Sequence, residues 1–137
     1  MDLQDTNAAS PQDDGDFAAG EPPVSYRHAR SYLHQGVTVV ECHGAIDLSA
    51  VPEIQAHTDA ATTRQGARVI VDLRPVEFLD CAVLGLLCRA RRRALERGGH
   101  LALVCVRPWH LRILKAAGIS KLFVPFATVQ DALHTGR

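Results

Sequence analysis

The sequence predicts an α/β fold: a single domain with a mixed, mainly parallel β-sheet flanked by α-helices. Short apolar runs rich in β-branched residues, at 37–42, 68–73 and 101–106, read as buried strands. Between them lie longer segments with apolar residues at helical spacing, closed by Gly66, Gly98-Gly99 and Gly118. Strands that alternate with helices imply right-handed crossovers and parallel pairing.

Residues 1–22 carry Asp2, Asp5, Asp13, Asp14, Asp16 and Glu21 and no Lys or Arg. Such a segment buries too little apolar surface to offset its ordering entropy, so a disordered acidic tail is expected ahead of a domain at 23–137. Residues 25–33 alternate irregularly around Tyr26, His28, Arg30 and Tyr32, and His34-Gln35-Gly36 supplies a turn into 37–42. This predicts a hairpin. Gly44-Ala45-Ile46-Asp47-Leu48 reads as a short connection, with Ser49 as N-cap and Pro52 and Glu53 in the first helical turn. That helix is expected to run to about Arg64, with Val51, Ile54, Gln55, Thr58 and Ala61 or Thr62 facing inward.

The central strand, 68–73, is apolar on both faces and belongs in mid-sheet. A turn at Pro75 follows, and Asp80 then stands at the N-cap position of a helix. In that helix Leu84, Leu87, Cys88 and Leu95 are expected inward, and Arg89, Arg92, Arg93 and Glu96 outward. Beyond the strand at 101–106, Pro108 opens a helix carrying Leu111, Ile113, Leu114 and Ala117. Leu122-Phe123-Val124 reads as a last strand, and Thr128 caps a terminal helix containing Val129, Ala132 and Leu133.

The chain has 137 residues and balances 15 Lys and Arg against 15 Asp and Glu. Six of those acids lie in the tail, so the remainder carries a net charge of +6. A basic body invites nucleic acid, but no aromatic platform or recognition motif accompanies it, and direct nucleic-acid binding is not expected. Cysteines at 42, 81, 88 and 105 form no C-x-x-C pair and sit in apolar runs, where a thiol packs as a small hydrophobe. That usage suits a reducing compartment, and the longest apolar run, 81–88, is too short to span a bilayer. A cytoplasmic protein without a membrane segment is expected.

In open α/β sheets, function gathers beyond the carboxyl ends of the strands. Two such loops carry acids, one with Asp47 and the other with Asp80 followed by Cys81. If their strands are neighbours, Asp47, Asp80 and Cys81 form one patch. Asp80 could equally be an ordinary cap, and Asp47 a loop organiser. No His or nucleophile is placed beside the two acids by local spacing, which argues against a hydrolase. A helix dipole activates a nearby thiol only weakly, and the Asp80 carboxylate opposes it, so fast redox sensing is not the default for Cys81. The seven His residues show no zinc spacing, and no Gly-rich phosphate loop is present. No metal or cofactor is expected.

The ordered set Asp72-Leu73, Phe78-Leu79-Asp80-Cys81-Ala82-Val83-Leu84-Gly85, Gly98-Gly99 and Leu114-Lys115-Ala116-Ala117-Gly118-Ile119 resembles a STAS domain of the anti-sigma factor antagonist type. Gly44-Ala45-Ile46-Asp47 falls at that family's G-x-[IL]-D position. The resemblance spans about 24–135 and implies partner switching: the antagonist binds an anti-sigma factor, often a serine kinase, and frees the sigma factor. It places partner binding on Asp47, Asp80, Cys81, Ala82, Val83 and Leu84.

The family motif resembles D-S-[ST]-[GA]-L-G, whose first Ser is the phosphorylation site. Here Cys81 stands at that position, followed by Ala82 and Val83, so both hydroxyls are missing while Asp80, Leu84 and Gly85 are kept. Serine-kinase chemistry needs an alcohol oxygen, which excludes ordinary phosphorylation at Cys81. The resemblance therefore implies a non-catalytic binder that is not switched at position 81. Two alternatives remain open: a thiol-based regulator acting through Cys81, and a module for small ligands or nucleotides. Oligomeric state is left open.

Overall fold

The computed structural model describes residues 27–134. The expected acidic tail, and the start of the first strand at Ser25 and Tyr26, lie outside the described residues. Strands β1 (Ala29–His34) and β2 (Val37–Cys42) form the expected hairpin. Its turn places Gln35 and Gly36 at positive φ, which only Gly adopts freely. Strand β4 (Arg68–Asp72) lies parallel between β2 and β6 (His100–Val104), giving a four-stranded mixed sheet of order β1-β2-β4-β6.

A separate, two-stranded parallel ribbon forms where loops were expected. Gly44–Ile46 is strand β3 and Val76–Leu79 is strand β5. The first was expected as a connection and the second as part of a turn, since each is short and Gly44 opens one while Pro75 precedes the other. The turn through Arg74 and Pro75 is closed by the Val76 N–H donating to the Leu73 carbonyl, and the chain then resumes strand pairing.

Helices α1 (Val51–Ala61), α2 (Leu84–Glu96) and α3 (Pro108–Ala116) pack on one face of the sheet. The core there joins Val40, Ile54, Val71, Leu87, Leu103 and Leu114, all buried. The opposite face is covered by the short α4 (Val129–Leu133), whose Ala132 and Leu133 pack on Val37, Val39 and Ile70. Arg68 reaches over to donate to the Leu133 carbonyl.

Several local expectations are corrected. Leu122-Phe123-Val124 is not a strand: a 3₁₀ turn, Ile119–Lys121, precedes it, Phe123 alone is buried, and pairing reduces to one bridge between Val104 and Phe126. Pro125 follows and cannot donate to a ladder. Helix α1 ends at Ala61, before Arg64, and buries His57 in place of Gln55; the His57 Nδ1 lies 2.6 Å from Ser31 Oγ. Leu95 is 44% exposed, so it does not join the core. Arg89 and Arg93 do not point freely outward: both pair with Asp59 of α1, and Arg93 Nε also donates to Thr62 Oγ1. This cross-tie joins the C-terminal end of α1 to α2.

Candidate partner-docking site

Strands β3 and β5 end side by side, with Ile46 paired to Leu79. The next residue on each is an acid, Asp47 on one and Asp80 on the other, and the Asp80 N–H donates to the Ile46 carbonyl at 2.9 Å. The two loops are built alike. Asp47 holds extended backbone and its Oδ1 accepts from the Ser49 N–H at 3.0 Å, opening a 3₁₀ turn (Leu48–Ala50) that runs into α1. Asp80 is also extended, and its Oδ1 accepts from the Ala82 N–H at 2.9 Å, opening a 3₁₀ turn (Cys81–Val83) that runs into α2. Short acidic side chains are suited to this role because they reach the free N–H groups two residues on.

The expected caps thus shift slightly. Asp80 caps as anticipated, though through a 3₁₀ turn that delays α2 to Leu84. At the first loop the cap is Asp47, not Ser49, and Ser49 Oγ adds a second hydrogen bond to Asp47 Oδ1 at 2.6 Å. These bonds hold the Asp47 carboxyl below the usual carboxylate range, the Ser49 hydroxyl contributing most.

Of the six residues singled out from sequence, the structure brings all to this end of the sheet. Cys81 and Ala82 are exposed on the turn, whereas Val83 and Leu84 are buried beneath it and anchor α2. Cys81 does not pack as a small hydrophobe, in contrast to Cys42 and Cys105, which are buried. Burial pushes the Cys42 thiol up to about 12 and the Cys105 thiol up to about 11.

Sequence reasoning missed the apolar surroundings. Leu48 is 69% exposed and Phe78 50% exposed, and Phe78 pairs in register with the exposed Ala45. The signal is present in the sequence: Leu48 directly follows Asp47, and Phe78 stands two residues before Asp80. Gly85 is exposed in the first turn of α2, and a Cβ there would meet nothing within 4 Å. Glu53, in the first turn of α1, accepts from the backbone N–H groups of His28 and Ala29 and ties the entering chain to the same end. An open hollow of about 330 Å³, lined by Leu33, Thr38, Arg64, Gln65 and Arg68 among others, lies at the opposite end of the sheet and takes no part. Among the described residues no cluster of three or more His, Cys, Asp or Glu could hold a metal, and no helix is long and apolar enough to cross a membrane.

A mixed sheet with three helices on one face and paired acid-capped helix starts at one end defines an α/β domain that brings the candidate residues onto two adjacent loops. The chain belongs to the STAS domain family, whose model matches residues 28–132. It is 26% identical over 101 residues to an anti-sigma F factor antagonist of Paenibacillus polymyxa, covering 73% of this chain and 86% of that one. Among solved structures it superimposes on an anti-sigma factor antagonist from Mycobacterium paratuberculosis with a TM-score of 0.70 and 28% identity, over 77% of this chain and 89% of the other. An anti-sigma-factor antagonist (STAS) domain protein from Planctomyces limnophilus gives 0.67 and 30%, over 77% and 94%.

Proposed function

We propose that this chain is a cytoplasmic, non-catalytic anti-sigma factor antagonist. It binds an anti-sigma factor of the serine-kinase type and so releases a sigma factor, with no cofactor. The observation that carries the reading is the placement of Asp47 and Asp80 one residue beyond the paired Ile46 and Leu79, which sets Cys81, Ala82 and the start of α2 beside a second acidic loop. Each acid spends one oxygen, Oδ1, on its turn. Oδ2 of each is then left for a cationic group on the partner, with Leu48 and Phe78 as apolar flanks.

Residue 81 offers sulfur where phosphoryl transfer to a serine needs an alcohol oxygen, so the off-signal is not written there. Incubation with a purified serine-kinase-type anti-sigma factor and Mg-ATP, followed by mass mapping, tests this. The complex should form, residue 81 should stay unmodified, and Cys81→Ser should acquire phosphate at that position. Phosphate on Cys81, or failure to bind any such kinase, would remove the corresponding half. The exposure of Cys81 favours a second reading, in which oxidation of the thiol supplies the negative charge; dependence of binding on peroxide would reveal it.

A further inference from the structure

The two acid-capped loops are near duplicates, and the hydroxyl absent from one is present on the other. Within Asp80–Val83 there is no alcohol, whereas in Asp47–Ala50 Ser49 is exposed and carries its Oγ 2.6 Å from Asp47 Oδ1. We infer that Ser49 is the phosphorylation site through which a kinase-type partner releases this chain. The inference rests on the reading above, and moves the switch from the α2 loop to the α1 loop of the same docking surface.

Among the described residues, five other hydroxyls are committed to the fold. Ser31 bonds the buried His57, Thr58, Thr62 and Thr63 donate to carbonyls of α1, and Thr128 caps α4. Ser49 instead bonds a carboxylate that can accept its proton. In the step itself, Ser49 Oγ forms a bond to the γ-phosphorus of ATP supplied by the kinase. The bond from that phosphorus to the β,γ-bridging oxygen breaks and ADP leaves. The hydroxyl proton passes to a carboxylate, Asp47 Oδ1 being the acceptor at hand in this chain. The product places a bulky group of about 1.5 to 2 negative charges beside Asp47 in place of the hydroxyl that bonded it, and like-charge repulsion between that group and the Asp47 carboxylate disrupts the loop against which the partner docks.

The test incubates wild type, Ser49→Ala and Cys81→Ala with purified serine-kinase-type anti-sigma factors and Mg-ATP, maps phosphate by mass spectrometry, and measures binding. Ser49→Ala keeps the Asp47 bond to the backbone N–H at 49, so folding is not at stake. The expected result is phosphate on Ser49 in wild type and Cys81→Ala, none in Ser49→Ala, and binding weakened about tenfold or more by phosphorylation or by Ser49→Glu. A complex that forms while Ser49 stays unmodified overturns the inference and leaves the antagonist reading standing. Absence of any complex removes that reading and this inference with it.

Discussion

Asp47 and Asp80 occupy matching positions at the ends of two paired parallel strands, tied by the Asp80 N–H donating to the carbonyl of Ile46. Each then caps a 3₁₀ turn that leads into a helix. Two capping acids are therefore also a two-acid surface, and their structural and docking roles can be separated by substitution.

Asp80→Ala removes the acceptor of the Ala82 N–H. Losing such a cap should cost about 1 kcal/mol, read as a lower denaturation midpoint. Asp80→Asn keeps an acceptor oxygen and should melt close to wild type.

Acid should abolish the contribution of Asp47. Its carboxyl is held below the ordinary value in the folded chain by the Ser49 hydroxyl and neighbouring N–H groups. A group with a depressed folded-state value contributes stability that is present above the unfolded value, about 3.9, and is lost as pH falls through the folded one. Urea titrations of wild type and Asp47→Asn should differ above about pH 4 and converge below it. A constant difference down to lower pH would contradict the assignment.

Two glycines should respond oppositely to Ala. A Cβ on Gly99 would lie 2.0 Å from the Ala67 carbonyl oxygen, with backbone on every near contact. Gly99→Ala should cost about 3 kcal/mol or more. Gly85 is open and helical, so Gly85→Ala should raise stability by about 0.5–1 kcal/mol. Since packing gives no reason for glycine at 85, a bulky Gly85→Trp should fold normally and weaken partner binding.

Thiol reactivity should follow burial. Cys81 is exposed, Cys88 half-buried, and Cys42 and Cys105 buried. Under native conditions iodoacetamide should modify Cys81 first and Cys88 more slowly. The other two should react only on unfolding, since burial holds their thiols protonated.

Much of this was legible in the residues. The three β-branched runs became β2, β4 and β6, and the acid before Cys81 became a cap, because burial on both faces and local side-chain-to-backbone bonding leave direct marks in sequence. Strands β3 and β5 escaped notice because their pairing is with each other across more than 30 residues. Leu122-Phe123-Val124 failed for the converse reason: apolar residues signalled a strand, but no neighbour accepts one there. Arg89 and Arg93 looked solvated because Asp59, their partner, lies on another helix. At the site, the acids and Cys81 could be named in advance, whereas the exposure of Leu48 and Phe78 depends on the ribbon that sequence reading missed.

The charge of Asp80 is central to the docking surface. Titration calorimetry of wild type and Asp80→Asn against a purified serine-kinase-type anti-sigma factor measures it. Affinity should fall about tenfold or more with the melting temperature unchanged. Equal affinity of the two proteins would contradict the central claim.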